Sequence, residues 1–225
     1  MSNTYSKQYN SIFLKKYKEL ETLQSNEPSK YNYLLYKHRQ EMDTFRYMRN
    51  TLSHNLINGD DPFIVAKEVL DLISKYLNDV KKKVYDFAIK KDKMVLLHYT
   101  DTLKDALELM GINNLSFIPI VDIELKVVGI VTSDAIIDIF NRKDKLKVNE
   151  SDKLFKYTSY FEMKNTENGF CLFVNKNIYL VELEEIIDKY QHSTSKLNII
   201  LITENGKINE PILGLLTPWD IIKNS

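Results

Sequence analysis

The chain has 225 residues with 31 basic and 31 acidic side chains, so no global charge favours nucleic acid or an anionic membrane. No apolar run approaches the roughly 20 residues that span a bilayer, and the first residues do not resemble a signal peptide. We therefore expect a cytoplasmic protein without a membrane partner. Cys171, the only cysteine, lies in an apolar run and is predicted to be a buried thiol without a disulfide partner in the chain.

The first eighty residues show the apolar spacing of amphipathic helices and no strand alternation. The spacing predicts three helices and two loops: helices over 5–23, 34–52 and 62–77, and loops over 25–30 and 55–61. Pro62 is expected at an early position of the third helix, where its missing N–H costs nothing. The sequence therefore predicts a small helical bundle over residues 1–80, and residues 78–93 are expected to continue as a helix.

Candidate catalytic residues lie at the end of the second predicted helix, in the string MRNTLSHN. Arg49 and Asn50 precede His54 by five and four residues, near one face if the helix persists. Arginine supplies a fixed cation for phosphate, and histidine exchanges protons near neutral pH. One interpretation is metal-independent cleavage of RNA by this set. The other is that Arg49 and His54 only stabilise the C-terminal end of the helix, where cations are favoured.

The string RNTLSH resembles the motif of HEPN domains, small helical bundles that often dimerise to form a metal-independent ribonuclease site. The resemblance implies that Arg49 binds the scissile phosphate, that His54 acts as acid or base, and that Asn50 orients them. Position 56 is Leu, so the His-x-Tyr variant that pairs with a nucleotidyltransferase antitoxin is not matched. Many HEPN-like bundles are inactive. An enzyme and a non-enzymatic bundle therefore both stay open.

The rest of the chain reads as two copies of a small β-α-β unit, because short β-branched runs alternate with helical spacing. In the first copy MVLLHYTDTLKDALELM predicts a short strand, a turn and a helix, and FIPIVD and VVGIV predict strands around a turn at ELK. In the second copy FCLFV, LNIILIT and ILGLLT predict strands, NKNIYLVELEEIIDKY predicts a helix, and ENGK predicts a turn. Each unit is too small to bury a core alone, so the two are expected to pack together.

Each copy ends in an apolar strand, a threonine and a helix. The first junction is GIVTSDAII, with Thr132 and Asp134, and the second is GLLTPWDII, with Thr217 and Asp220. The second junction places a hydroxyl and a carboxylate at a positively polarised helix N-terminus. One interpretation is a helix cap in which threonine precedes the helix and the acid sits at its third position. The duplication favours the other interpretation, a ligand-binding unit present twice.

The two copies resemble a tandem pair of CBS domains, the regulatory module that usually binds adenosine-containing ligands. The residues FIPIVD…VVGIVTSD and NIILIT…ILGLLTPWD carry the resemblance, which covers residues 84–225. It implies an α+β protein with three domains: a helical bundle over 1–80, a first CBS domain with its connecting helix over 81–150, and a second CBS domain over 151–225.

The family pattern is glycine, two apolar residues, threonine or serine, two residues, and aspartate. Gly214, Thr217 and Asp220 match it, so the resemblance implies that Asp220 accepts hydrogen bonds from ribose hydroxyls with the help of Thr217. The first copy has Ala135 at the acid's position and Asp134 one position early, a rotation of about 100° on a helix. A site at Thr132 and Asp134 is therefore weaker, empty or used by another ligand.

The expected protein is a homodimeric nucleotide sensor in which the CBS pair binds ATP, ADP, AMP, S-adenosylmethionine or cyclic di-AMP. That ligand would control the helical bundle, with the Arg49 and His54 side chains of two copies facing across a two-fold axis and RNA as the substrate. The alternative is a non-enzymatic, ligand-responsive adaptor whose bundle docks a protein partner. No metal site is predicted, because no histidine has acidic or cysteine partners at ligand spacing.

Overall fold

The computed structural model describes residues 2–54, 57, 60–141, 148–163, 171–191 and 197–224. The chain divides into two compact units, which are described separately. The helical unit comprises Met1–Lys82 together with Tyr179–Leu183, and the repeat unit comprises Lys83–Ile178 together with Glu184–Ser225. The helical unit is therefore not continuous in sequence, because five residues from the second half of the chain belong to it.

Four helices form the first eighty residues of the helical unit: α1 Ser2–Asn26, α2 Pro28–Lys37, α3 Arg39–His54 and α4 Lys67–Asp79. Their apolar faces meet in one core, which includes Phe13 and Leu20 of α1, Phe45 of α3 and Ile73 of α4. Each of these four side chains is at most 2% exposed, so the helical spacing of the sequence correctly identifies the buried faces.

The predicted loop at 25–30 and the uninterrupted second helix are both wrong. Helix α1 continues to Asn26 and Pro28 starts α2, so the connection is Glu27 alone, and proline suits the first helical position. The second predicted helix is broken at His38, whose φ of −135° and ψ of 43° are not helical. The His38 ring stacks on Tyr76 of α4 with 4.0 Å between ring centroids, a tertiary contact that local spacing does not contain.

The third helix begins at Lys67, so its predicted start near Pro62 is also wrong. Asn10 of α1, which is 3% exposed, holds the preceding segment in a non-helical conformation. Its Nδ2 donates to the Asp61 carboxylate and to the Phe63 carbonyl at 2.8 Å each, and its Oδ1 accepts from the Val65 N–H at 2.8 Å. These bonds replace the backbone bonds that a helical turn would make. Of the predicted loop at 55–61, residues 55–56 and 58–59 lie outside the described residues.

The first repeat contains a β-hairpin between two helices: α6 Leu103–Asn113, β2 Phe117–Val121, β3 Val127–Thr132 and α7 Ser133–Asn141. Strands β2 and β3 are antiparallel, with Ile118 opposite Val131. The Asp122 carboxylate closes the predicted turn by accepting the N–H groups of Glu124 and Lys126 at 2.9 Å each. The strand predicted near residue 97 is reduced to one parallel bridge between Leu97 and Ile120.

The expectation that residues 78–93 continue as a helix is wrong. Helix α4 ends at Asp79, before three consecutive lysines, and three short elements follow: α5 Val84–Phe87, β1 Ile89–Lys90 and a 3-10 turn at Lys91–Lys93. Strand β1 is antiparallel to the C-terminal strand β6 (Gly214–Leu216), with Ile89 opposite Leu215. Its backbone groups therefore bond to a sheet of the second repeat.

The second repeat has the predicted order of strand, helix, two strands and helix: β4 Cys171–Asn175, α9 Leu180–Gln191, β5 Ile199–Thr203, β6 and α10 Pro218–Asn224. The sheet order is β1-β6-β5-β4, in which β4 and β5 are parallel and the other pairs are antiparallel. Cys171 is buried as predicted, and burial raises the pKa of its thiol to about 12. The chain is thus an α+β protein with a helical part followed by repeats of mixed helix and sheet.

In the described segment 148–163, which follows the first repeat, the Asp152 carboxylate accepts several hydrogen bonds. Asp152 Oδ2 accepts hydrogen bonds from Lys156 Nζ at 2.7 Å, from the Tyr157 hydroxyl at 2.6 Å and from the Asn149 N–H at 2.9 Å. These donors lower the pKa of Asp152 to about 2. A 3-10 turn at Leu154–Tyr157 and helix α8 at Thr158–Phe161 follow it.

Candidate functional site

The second junction brings Thr217 and Asp220 together. Strand β6 ends at Leu216, Thr217 follows, and Pro218 begins α10, so Asp220 occupies the third helical position. The Asp220 carboxylate accepts both the Thr217 backbone N–H and the Thr217 hydroxyl on Oδ2, each at 2.8 Å. The capping interpretation of this pair is therefore correct in its geometry. The bonds also orient a half-buried carboxylate, which has about four acceptor positions.

The first junction has the opposite hydrogen bonding. Thr132 ends β3, and its hydroxyl oxygen accepts the backbone N–H of Ala135 at 3.0 Å. The Ser133 N–H is bonded to the Ser116 carbonyl at 3.0 Å, which ties the start of α7 to the start of the hairpin. Asp134 is exposed on the first turn of α7, one position before the place that Asp220 takes in α10. The threonine here therefore caps a backbone amide and orients no carboxylate at the third helical position.

A glycine in the last strand of each repeat allows another chain segment to cross closely. A Cβ on Gly214 would lie 3.3 Å from both the Ala88 Cβ and the Ile89 carbonyl oxygen. A Cβ on Gly129 would lie 2.7 Å from the Tyr99 hydroxyl and 2.9 Å from the Phe161 carbonyl oxygen. Both glycines were noted in the sequence only as motif positions, and the segments above them were missed. The crossing above Gly129 is the tighter of the two.

The segment beside the second junction carries an aromatic and a basic residue, Tyr85 and Lys90. Lys90 pairs with Gly214 in the sheet, and its Nζ lies 4.5 Å from the centroid of the Tyr85 ring. Because β1 and β6 are antiparallel, the residues before Ile89 run toward the Thr217 end of β6. Tyr85 and Lys90 therefore belong to the chain segment that flanks this junction.

In the helical unit, Arg49 is engaged by a residue that the sequence analysis did not consider. Its Nη2 lies 2.8 Å from Oε1 of Glu21 on α1, its Nη1 donates to Asn50 Oδ1 at 3.1 Å, and its Cζ lies 5.9 Å from the Tyr17 ring centroid. An acid 28 positions away and two helices earlier gives no local signal in the sequence. Arg49 therefore packs against α1, and the basic residue in the last turn of α3 is His54.

Helix α3 persists to His54, which is exposed in its last turn. At 100° per residue, Asn50 and His54 lie about 40° apart, whereas Arg49 and His54 lie about 140° apart. The expectation that all three share one face therefore holds for Asn50 and His54 and fails for Arg49. The catalytic role of this set stays a prediction.

In the parts of the chain that the structure describes, no group of three or more His, Cys, Asp or Glu side chains is placed to hold a metal ion. Within the same ranges, no helix combines the length and the apolar character that crossing a bilayer requires.

Solved structures with similar folds were found, whereas no curated protein matches the chain. CBSX2 in complex with AMP is 17% identical, with a TM-score of 0.46 over 63% of this chain and 94% of that one. A putative acetoin utilization protein from Vibrio cholerae is 20% identical, with a TM-score of 0.45 over 63% and 87%. CbpB in complex with c-di-AMP is 14% identical, with a TM-score of 0.49 over 68% and 90%.

The family comparison concerns the first repeat. Residues 84–142 match the family model described as the CBS domain. The matched range includes β1, the hairpin of β2 and β3, and the Thr132 junction. Residues 84–142 of the chain are therefore a CBS domain.

Proposed function

We propose that the protein is a cytoplasmic nucleotide-responsive regulator in which the repeats bind an adenosine-containing ligand at the Thr217–Asp220 junction. The observation that carries the proposal is the carboxylate of Asp220, which two bonds from Thr217 fix in a half-buried position beside a glycine-crossed strand. An ionised carboxylate that is already oriented accepts the two hydroxyls of a ribose with charge-assisted hydrogen bonds. ATP, ADP, AMP, S-adenosylmethionine and cyclic di-AMP all present this chemistry.

The second repeat is proposed as the principal site and the first as a weaker or unused one. At the first junction Thr132 caps the amide of Ala135, and Asp134 is exposed one position early. The Tyr99 hydroxyl and the Phe161 carbonyl also crowd Gly129, whereas the corresponding crossing above Gly214 is wider. These differences support about one tightly bound nucleotide per chain.

The test is calorimetric titration and thermal unfolding with each of the five ligands. A ligand at a hundred times its dissociation constant adds about 2.7 kcal/mol of stability by mass action. Asp220→Asn should abolish binding of the ligand that stabilises the wild type, because the amide loses the charge-assisted bonds. Asp134→Asn is the matched control, since it makes the same change on the first turn of α7, and it should bind as the wild type does.

Two results would overturn the proposal: none of the five ligands stabilises the protein, or Asp134→Asn and Asp220→Asn weaken binding equally. Because Asp220 also caps α10, the unfolding temperature of each variant without ligand must be measured first. A loss of binding counts only where the variant is folded at the temperature of the titration.

We infer that the same ligand regulates the helical unit, whose activity is either RNA cleavage or the docking of a partner. Such regulation requires that the protein has two conformations with different affinity for the nucleotide. A metal-independent ribonuclease is supported by the exposure of His54 and by its closeness in helical angle to Asn50. A docking bundle is supported by the Glu21–Arg49 ion pair and by Tyr36 and Tyr47, which are 87% and 70% exposed. The ion pair makes the docking version the better supported of the two.

RNA cleavage assays with and without nucleotide distinguish the outputs. A ribonuclease loses activity in His54→Ala, while Ser53→Ala on the same turn is the control. RNA that stays intact under all conditions would exclude the ribonuclease and favour the docking bundle. The proposed homodimer, in which two helical units lie adjacent, is checked by light scattering during gel filtration.

A further inference from the structure

Helix α9 begins inside the helical unit, although most of its residues belong to the repeat unit. Tyr179–Leu183, the first turn of α9 with the residue before it, is part of the helical unit, and Glu184–Gln191 is part of the repeat unit. Val181 is 3% exposed and lies in the helical core, against which Tyr179 also packs. The helix therefore passes from one unit into the other with its backbone hydrogen bonds continuous.

A buried lysine holds this first turn in the helical unit. Lys30 of α2 is 5% exposed, its Nζ lies 3.3 Å from the centroid of the Tyr179 ring, and it also bonds to the Glu27 carboxylate. The Leu180 N–H donates to the Lys82 carbonyl at 2.8 Å, so the backbone of the turn is held as well. The attraction of an ammonium group to an aromatic face grows as water is excluded. The Lys30–Tyr179 contact therefore contributes more than an exposed pair of the same kind.

We infer that the first turn of α9 couples the helical unit to the second repeat, and that the Lys30–Tyr179 contact fastens it. Because a helix is a rigid element, a displacement of Glu184–Gln191 also displaces Tyr179 and Val181 in the helical core. Helix α9 connects β4 to β5, and β5 pairs with β6, the strand that leads into the Thr217–Asp220 junction. A rearrangement of the second repeat therefore reaches the helical unit along the chain itself. The coupling needs no ligand, whereas its use in regulation rests on the proposed nucleotide response.

The test of the coupling is amide hydrogen exchange of the full-length protein without ligand. Lys30→Ala removes the ammonium group and its buried stem from α2. The amides of Glu184–Asp188, which belong to the repeat unit, should then exchange about tenfold faster, the effect of losing one desolvated cation–aromatic contact. Lys37→Ala is the matched control on the same helix, because Lys37 is exposed and lies over the Tyr33 ring at 5.2 Å. It should leave those amides unchanged.

Unchanged exchange at Glu184–Asp188 in Lys30→Ala would overturn the coupling. Equal acceleration by Lys30→Ala and Lys37→Ala would overturn it too, because it would show a general loss of stability. Tyr179→Leu breaks the same contact from α9 and keeps the backbone bonds of the first turn. It should accelerate exchange in α2, and this variant decides if Lys30→Ala does not fold. Unchanged exchange in α2 would then contradict the inference.

The use of the coupling in regulation is tested with AMP, ADP, ATP, S-adenosylmethionine and cyclic di-AMP. A compound among these that binds the wild type but not Asp220→Asn should change amide exchange in α2 about fivefold, a typical coupling between sites. The change should be smaller in Lys30→Ala. Binding that leaves α2 unaffected would overturn the regulatory use. If none of the five binds, the proposed function fails, while the ligand-free exchange still decides the coupling, so the two failures are distinguishable.

Discussion

The two strand–threonine–helix junctions start from similar sequences and differ in what the threonine does. Thr132 accepts a backbone N–H from Ala135, whereas Thr217 donates its hydroxyl proton to the Asp220 carboxylate. Both arrangements begin a helix, so both satisfy the local requirement for a cap. Only the second also orients an anionic acceptor. The third helical position is Ala135 in the first junction and Asp220 in the second. This one residue decides whether the start of the helix is only structural or is also suited to bind a ligand.

The largest expected effect comes from filling the glycine crossings. Gly129→Ala should destabilise the protein by about 1–3 kcal/mol, because its Cβ would lie 2.9 Å from the Phe161 carbonyl oxygen, a backbone atom. Gly214→Ala should cost less, because its Cβ would lie 3.3 Å from its neighbours, a contact that a shift of a few tenths of an ångström relieves. Urea unfolding measures both. Equal costs would contradict the difference between the crossings.

A double variant separates the two contacts of Gly129. Gly129→Ala with Tyr99→Phe removes the hydroxyl that lies 2.7 Å from the new Cβ and leaves the carbonyl in place. If the backbone contact dominates, the double variant stays nearly as unstable as Gly129→Ala. Tyr99→Phe alone is the reference.

A smaller effect is expected from removing the threonine hydroxyls. Thr132→Val deprives the Ala135 N–H of its partner and should cost about 1 kcal/mol, as loss of a helix cap does. Thr217→Val should cost less, because the Thr217 backbone N–H still donates to Asp220 at 2.8 Å. Thermal unfolding of the two variants gives the order. A greater loss at Thr217 would mean that the hydroxyl–carboxylate bond holds the second junction.

The smallest effect concerns pH. The pKa of Asp152 is lowered from 3.8, and that of Glu210 from 4.5, each to about 2, by hydrogen bonds from Lys156 and Asn205 respectively. A lowered folded-state pKa stabilises the protein above the unfolded-state value and loses that contribution as pH falls. Stability should therefore decline from about pH 4.5 toward pH 2. Asp152→Asn and Glu210→Gln should each reduce this acid dependence in urea unfolding between pH 5 and pH 2, and an unchanged dependence in both would contradict it.

A feature could be predicted from the sequence when the residues that form it are close together along the chain. The Thr217–Asp220 pair and the turn at Asp122 depend on residues within four positions, and both were predicted. The break at His38 depends on Tyr76, and the late start of α4 depends on Asn10, more than fifty residues before Asp61. Those contacts exist only after the helices pack, so helical spacing alone could not reveal them.

The candidate sites show the same limit. The spacing identified Arg49, Asn50 and His54, yet the carboxylate that bonds to Arg49 comes from another helix. The helical wheel alone could have shown that Arg49 and His54 lie about 140° apart once the helix end was known. The segments that cross Gly129 and Gly214 could not be placed, because a single glycine signals close approach without naming the neighbour.

The edge strand β1 also has a consequence for synthesis on the ribosome. Ile89 is made long before Leu215, its partner in the sheet, so β1 stays without its partner strand until residues 214–216 have been made. Such sequence-distant pairing slows folding. A fragment that begins after β1 would present the bare edge of β6 to other chains, and an uncovered edge is a template for aggregation. A fragment designed to contain the second repeat should therefore include β1, Ile89–Lys90, or be mixed with a peptide that carries this strand.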